Sequence, residues 1–227
     1  MMLETRSRRA SQVLLEAGAA TWERAIGHPM VRAIGDGSLA HETFRGYFEQ
    51  NVLYLMDYAR AIALTLAKAP DLDAMMTLGR FLRQIADNEI PANLRFLERL
   101  GGDPEAIGGT GSMLPTNYAY TRHMLSVCAQ GDCAEGLTAV LPCQWSYGEL
   151  ARPLMERTPE DPIYADWIRM FGDAEYEAIV AGSTALLDRL TDAGDASRMA
   201  VLSKIFERST GFEVAFWDMA YGGPGTG

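Results

Sequence analysis

Apolar residues recur three and four apart along almost the whole chain, and the strict alternation of a half-buried strand is nearly absent. That pattern restricts the fold to an all-α one. It predicts a first helix over about 8–26, stopped at Gly27-His28-Pro29, and a long second helix over 41–67 after a GDGS turn at 35–38. A third starts at Pro70 with Asp71 and Asp73 and runs to Gly101-Gly102, kinked at Pro91 because proline has no N–H and clashes with the preceding turn. GGTGSMLPTN (108–117) reads as a loop, followed by a helix over 118–129. Asp132, with Glu135 three residues on, caps the next helix, and Asp161-Pro162 begins a short one. Two more run to about Leu190 and over 196–221, leaving a flexible tail at 222–227. With 227 residues, no repeat and no linker, the expectation is one helical domain over 1–221.

Composition narrows the function. A formal net charge of −10 argues against non-specific nucleic-acid binding, which requires a basic face. No apolar run reaches the roughly 18 residues of a membrane span. The first residues, MMLETRSRRASQVLLEAG, carry arginines but no apolar segment of a signal peptide. Three cysteines, Cys128, Cys133 and Cys143, form neither a disulfide framework nor a zinc spacing, which points to a reducing compartment and a cytoplasmic location.

Three stretches could carry chemistry. In AVLPCQWSYGE (139–149), Cys143 directly follows Pro142 and lies one helical turn from Tyr147. Pro142 cannot donate to the carbonyl of Thr138, and such a distortion opens space beside the next residue. A cysteine there is either inert core or a nucleophile, the latter only with a proton acceptor or positive field nearby. In the second helix, Tyr47, Asn51, Tyr54 and Tyr58 share one face, either a solvated or interface surface or a polar pocket wall. In the last helix, Phe212, Phe216, Trp217 and Met219 surround Glu213. A carboxyl so placed is either paired with a buried arginine or held as an acid of raised pKa, suited to general acid catalysis. None of His28, His41 and His123 follows a Glu at the spacing of a di-iron bundle, so no metal site and no cofactor are expected.

HPMVRAIGDGSL (28–39), FEQNVLYLMDYAR (48–60), YAYTRHMLSV (118–127), LPCQWSYGE (141–149), DPIYADWIRMF (161–171) and FEVAFWDMAY (212–221) together resemble the TenA family, also called thiaminase II. The resemblance implies a haem-oxygenase-like helical fold, commonly a homotetramer. It also implies hydrolysis at the methylene carbon on the pyrimidine of thiamine, or of the aminomethyl pyrimidine left by thiamine breakdown, giving hydroxymethyl pyrimidine. By resemblance Cys143 is the nucleophile that adds to the ring, and Glu213 the acid and base at the ring nitrogen. Tyr54, Tyr120, Tyr147 and Phe216 line the substrate pocket.

Two positions depart from the family pattern: Asn51 stands where the family usually has Asp, and Phe171 where it often has Tyr. Asn51 can still accept from the ring's amino group and donate to the adjacent nitrogen, but it brings no negative charge. The expectation is retained binding, with slower turnover or a shifted substrate. A binding protein without turnover is the alternative, and an oxygen-using relative of the same fold a third.

Overall fold

The computed structural model describes residues 8–109 and 112–222, in which eleven α-helices and no strand are found. They are α1 (Ala10–Ala17), α2 (Ala19–Ile26), α3 (Pro29–Asp36), α4 (His41–Leu66), α5 (Leu72–Arg83), α6 (Ile90–Arg99), α7 (Pro115–Gln130), α8 (Cys133–Leu154), α9 (Pro162–Gly172), α10 (Ala174–Leu190) and α11 (Ala196–Gly222). The all-α expectation holds. One continuous apolar core joins residues from Ala10 to Ala220.

Helix α8 is the axis of this packing, with α4, α7, α10 and α11 around it. It is buried nearly all round, and its Ala, Gly, Thr and Ser residues let neighbouring backbones come close. A Cβ on Gly136 would meet Thr65 Oγ1 of α4 at 2.5 Å. The capping box is present: Glu135 N–H donates to Asp132 Oδ1 (3.0 Å), and Asp132 N–H donates to Glu135 Oε2 (3.1 Å). Arg198 of α11 bridges both carboxylates, tying the start of α8 to α11.

The structure corrects several boundaries. The expected first helix is broken at Gly18, where a Cβ would lie 3.4 Å from the Phe206 ring. His28-Pro29 starts a further helix, α3, which the sequence reading missed. The His28 ring caps it by accepting from Met30 N–H, and Gly37 ends it in the left-handed region at φ 77. Helix α7 begins at Pro115, inside the expected loop; residues 110–111 of that loop lie outside the described residues. Gly222 belongs to α11, and the remainder of the expected tail, 223–227, lies outside them as well.

The largest difference lies between Leu72 and Arg99. Ahead of Pro91, where a kink is expected, there is a π-helical turn over Gln84–Glu89, closed by Ile90 N–H on the carbonyl of Ile85, five residues back. Pro91 cannot supply the bond that would continue a regular α-helix onto Asp87. The widened turn takes in the extra residue just before it. Gln84, Ile85 and Glu89, four and five residues apart, are thereby all turned inward.

Candidate active site

Cys143 sits midway along α8, and tyrosines from two other helices grip the backbone on either side of it. Tyr58 of α4 donates to the carbonyl of Val140 (2.8 Å), and Tyr176 of α10 donates to that of Gln144 (3.0 Å). The thiol is 7% exposed. Burial pushes its pKa well above the usual thiol value, and Glu213 and Glu89 push it further, while the nearby Tyr54 and Tyr58 hydroxyls oppose the rise. At rest the sulfur therefore carries its proton.

Glu213 enters the same core from α11. Glu213 is 3% exposed and accepts from the Tyr120 hydroxyl, and the Cys143 thiol lies close enough to bear on its charge. Among the described residues no arginine pairs with it, which speaks against the ion-pair reading. Burial raises its pKa to about 7, against Tyr120 and Cys143, which lower it. Tyr120 is held flat against Phe212, with ring centroids 5.2 Å apart, and the Tyr54 ring lies 5.1 Å from it. Phe216 closes on Tyr54 at 5.5 Å.

The tyrosine face of α4 is buried, not a solvated surface: Tyr47, Asn51, Tyr54 and Tyr58 all lie inside. Tyr47 and Tyr147 share a hydroxyl–hydroxyl bond of 3.0 Å, and Tyr147 packs edge-on to Phe171 at 4.7 Å. Phe171 in turn packs edge-on to Tyr176. His123 stands to one side, bonded to Ser209 Oγ at 3.0 Å and packed against Phe212.

Asn51 is fixed by a chain of amides. Its Nδ2 donates to Asn93 Oδ1 (2.9 Å), and Asn93 Nδ2 donates to the backbone carbonyl of Glu89 (2.8 Å). A backbone carbonyl only accepts, so Asn93 must turn its NH₂ toward Glu89 and its oxygen toward Asn51. Asn51 must then give an N–H to Asn93, which leaves Oδ1 without a protein partner among the described residues. One of its N–H groups is thus taken, while its oxygen keeps its acceptor capacity.

This orientation changes what Asn51→Asp is expected to do. An aspartate would set an acceptor against Asn93 Oδ1, leaving a buried polar pair unmatched at a cost of about 1–3 kcal/mol. The variant should therefore melt several degrees lower, as thermal denaturation would record. An unchanged melting temperature would mean that Asn93 turns round to suit it.

Sequence reasoning did not single out Glu89, Asn93 or Tyr176. Glu89 is 4% exposed, and burial raises its pKa to about 8, with Glu213 adding to the rise. The available signal was an acid and an amide four residues apart in NEIPAN, beside a proline.

Both carboxyls bind protons more tightly folded than unfolded, where the ordinary value is 4.5. The unfolded chain thus binds fewer protons between about pH 4.5 and 8, and stability falls as pH rises through that window. The melting temperature should be lower at about pH 8.5 than at about pH 6, and less so in Glu213→Gln.

The TENA/THI-4/PQQC family matches residues 16–223. The chain is 34% identical over 210 residues to an aminopyrimidine aminohydrolase of Halalkalibacterium halodurans, covering 92% of this chain and 93% of that one. It is 33% identical to an aminopyrimidine aminohydrolase of Helicobacter pylori, covering 93% of this chain and 98% of that one. Among solved structures, the TenA homologue of P. horikoshii OT3 superposes with a TM-score of 0.85 at 29% identity, over 94% of this chain and 99% of that chain. A TenA family transcription regulator of Silicibacter superposes with 0.87 at 26% identity, over 96% and 99%. The thiol, carboxyl and tyrosines converge in one buried cluster within a helical fold shared over almost its full length, and the chain belongs to the TENA/THI-4/PQQC family.

Proposed function

We propose that this protein is a hydrolase of thiamine salvage, releasing hydroxymethyl pyrimidine from an aminopyrimidine. The observation that carries the reading is one buried cluster in which the Cys143 thiol bears on a Glu213 carboxyl tuned to about 7 and held by the Tyr120 hydroxyl. Relatives named aminopyrimidine aminohydrolase support it.

In this reading Glu213, as carboxylate, takes the thiol proton and passes it to a nitrogen of the pyrimidine ring. The protonated ring is electrophilic enough for the sulfur to add. The carbon–nitrogen bond at the exocyclic methylene then breaks, with its electron pair leaving on nitrogen. Water adds to the methylene carbon, the carbon–sulfur bond breaks, and the proton on the ring nitrogen returns through Glu213 to the sulfur. Covalent attachment divides one difficult displacement into two easier steps. Asn51 Oδ1 accepts from the ring's amino group, while Tyr54, Tyr120, Tyr147, Phe171 and Phe216 supply the aromatic walls.

Incubating the pure protein with thiamine and, separately, with aminomethyl pyrimidine, then scoring hydroxymethyl pyrimidine by mass spectrometry, tests the activity. Product from either compound is the expected result, and the two rates settle substrate preference. The neutral Asn51–Asn93 pair favours a second reading, a pyrimidine-binding protein without turnover. Tight binding with no product over hours would establish it. The Cys143–Glu213 pair speaks against it, since binding alone needs no nucleophile.

A further inference from the structure

Glu89 is a buried acid that the mechanism above does not use. It closes the π-helical turn, is 4% exposed, and no donor among the described residues hydrogen-bonds to its carboxyl. Its charge acts on Tyr47 and Tyr58 of α4, Cys143 of α8 and Tyr176 of α10, and Glu213 of α11 acts on it in turn. Its own backbone carbonyl anchors the Asn93–Asn51 chain. The cluster thus holds two carboxyls and a thiol, and no lysine, arginine or histidine among the described residues pairs with either acid.

In such a cluster a second negative charge is strongly disfavoured, because unpaired buried charges of one sign repel and are poorly solvated. A cation arriving from solution changes that balance. We propose that Glu89 selects ligands carrying a positive charge on the pyrimidine's exocyclic methylene, and discriminates against the neutral alcohol that the reaction leaves behind. The inference rests on the proposed function and names the substrate class at that site.

The charges balance through the cycle. Binding of the cation displaces the Glu89 proton to solvent, so that carboxylate faces ammonium or thiazolium. The carbon–nitrogen bond breaks with its pair on nitrogen, releasing neutral ammonia or neutral thiazole. Water forms the new carbon–oxygen bond and gives one proton to Glu89. A neutral acid then faces a neutral alcohol, and nothing electrostatic retains the product. The same event favours thiolate formation, since a cation beside Cys143 offsets the two acids that hold its proton on.

The test compares Glu89→Gln with wild type at about pH 7.5. KM for aminomethyl pyrimidine should rise by about tenfold or more, while the inhibition constant of hydroxymethyl pyrimidine stays within about twofold. A residue that only supports the turn would weaken both ligands together. Calorimetry of aminomethyl pyrimidine binding to Cys143→Ser, in two buffers of different ionisation enthalpy, should register proton release, and Glu89→Gln in that background should abolish it. Should Glu89→Gln fail to fold, the Cys143→Ser titration decides alone: binding without proton release overturns the assignment. Wild-type turnover with an unchanged substrate-to-product ratio in Glu89→Gln overturns it too, and leaves the proposed function standing. Wild-type protein that binds none of these compounds overturns the proposed function, and the assignment with it.

Discussion

Cys143→Ser should lower the release of hydroxymethyl pyrimidine by on the order of 10⁴-fold or more, because a serine hydroxyl beside Glu213 cannot replace a thiol as nucleophile. The thiol is already reluctant to ionise: burial, Glu213 and Glu89 all raise its pKa. In the proposed mechanism it becomes usable because Glu213, a carboxyl of raised pKa in the same cluster, takes the proton. A hydroxyl is a far weaker acid, so the same base gains nothing from it. The substitution changes one atom at a site that already holds polar partners, so the helical circular dichroism signal should be unchanged. Cys143→Ala, which introduces no hydroxyl, should be equally inactive. Full activity in the serine variant would remove the sulfur from the mechanism.

Glu213→Gln should cost roughly 10²–10⁴-fold in kcat, the range expected for loss of a positioned acid–base group. The amide oxygen can still accept from Tyr120, so the loss is one of proton transfer and not of packing. The pH dependence separates these. In the free protein Glu213 titrates at about 7. In the proposed mechanism its carboxylate form takes the thiol proton, so kcat/KM should climb as pH rises through that value, since this ratio follows the free enzyme. The climb should be missing from whatever activity Glu213→Gln retains. A surviving climb near neutral pH would assign it to another group, with Glu89, at about 8, the next candidate.

Much of this was legible in the sequence. The 3.6-residue pattern depends on which face of each segment is apolar, and it marked most of the helices, several with their capping residues. Cys143 stood out because Pro142 precedes it, and Glu213 because four large apolar residues surround it. Pairing was harder to read. Nothing local says that the Tyr120 hydroxyl, 93 residues away in the chain, will reach Glu213. Nor could the sequence choose between a buried arginine partner and a free acid at that position.

Breaks in helices were the other weak point. Gly18 is no stronger a stop than glycines that helices tolerate elsewhere in this chain; it ends α1 where the Phe206 ring lies against it. Pro91 promised only a disturbance, and whether that became a kink or a π-turn was settled by the core into which Ile85 and Glu89 pack.

The sequence by itself determined an all-helical chain, a cysteine set apart by a proline, a carboxyl among aromatics and a tyrosine-lined helix face, because each is written in spacings of three or four residues. The tertiary structure alone decided that these share one core, that Asn51 gives an N–H to Asn93 and that Glu89 is buried with no lysine, arginine or histidine pairing with it among the described residues. The physical reason is that a side chain's charge state and the direction of its hydrogen bonds depend on neighbours brought from distant helices, which local spacing does not encode.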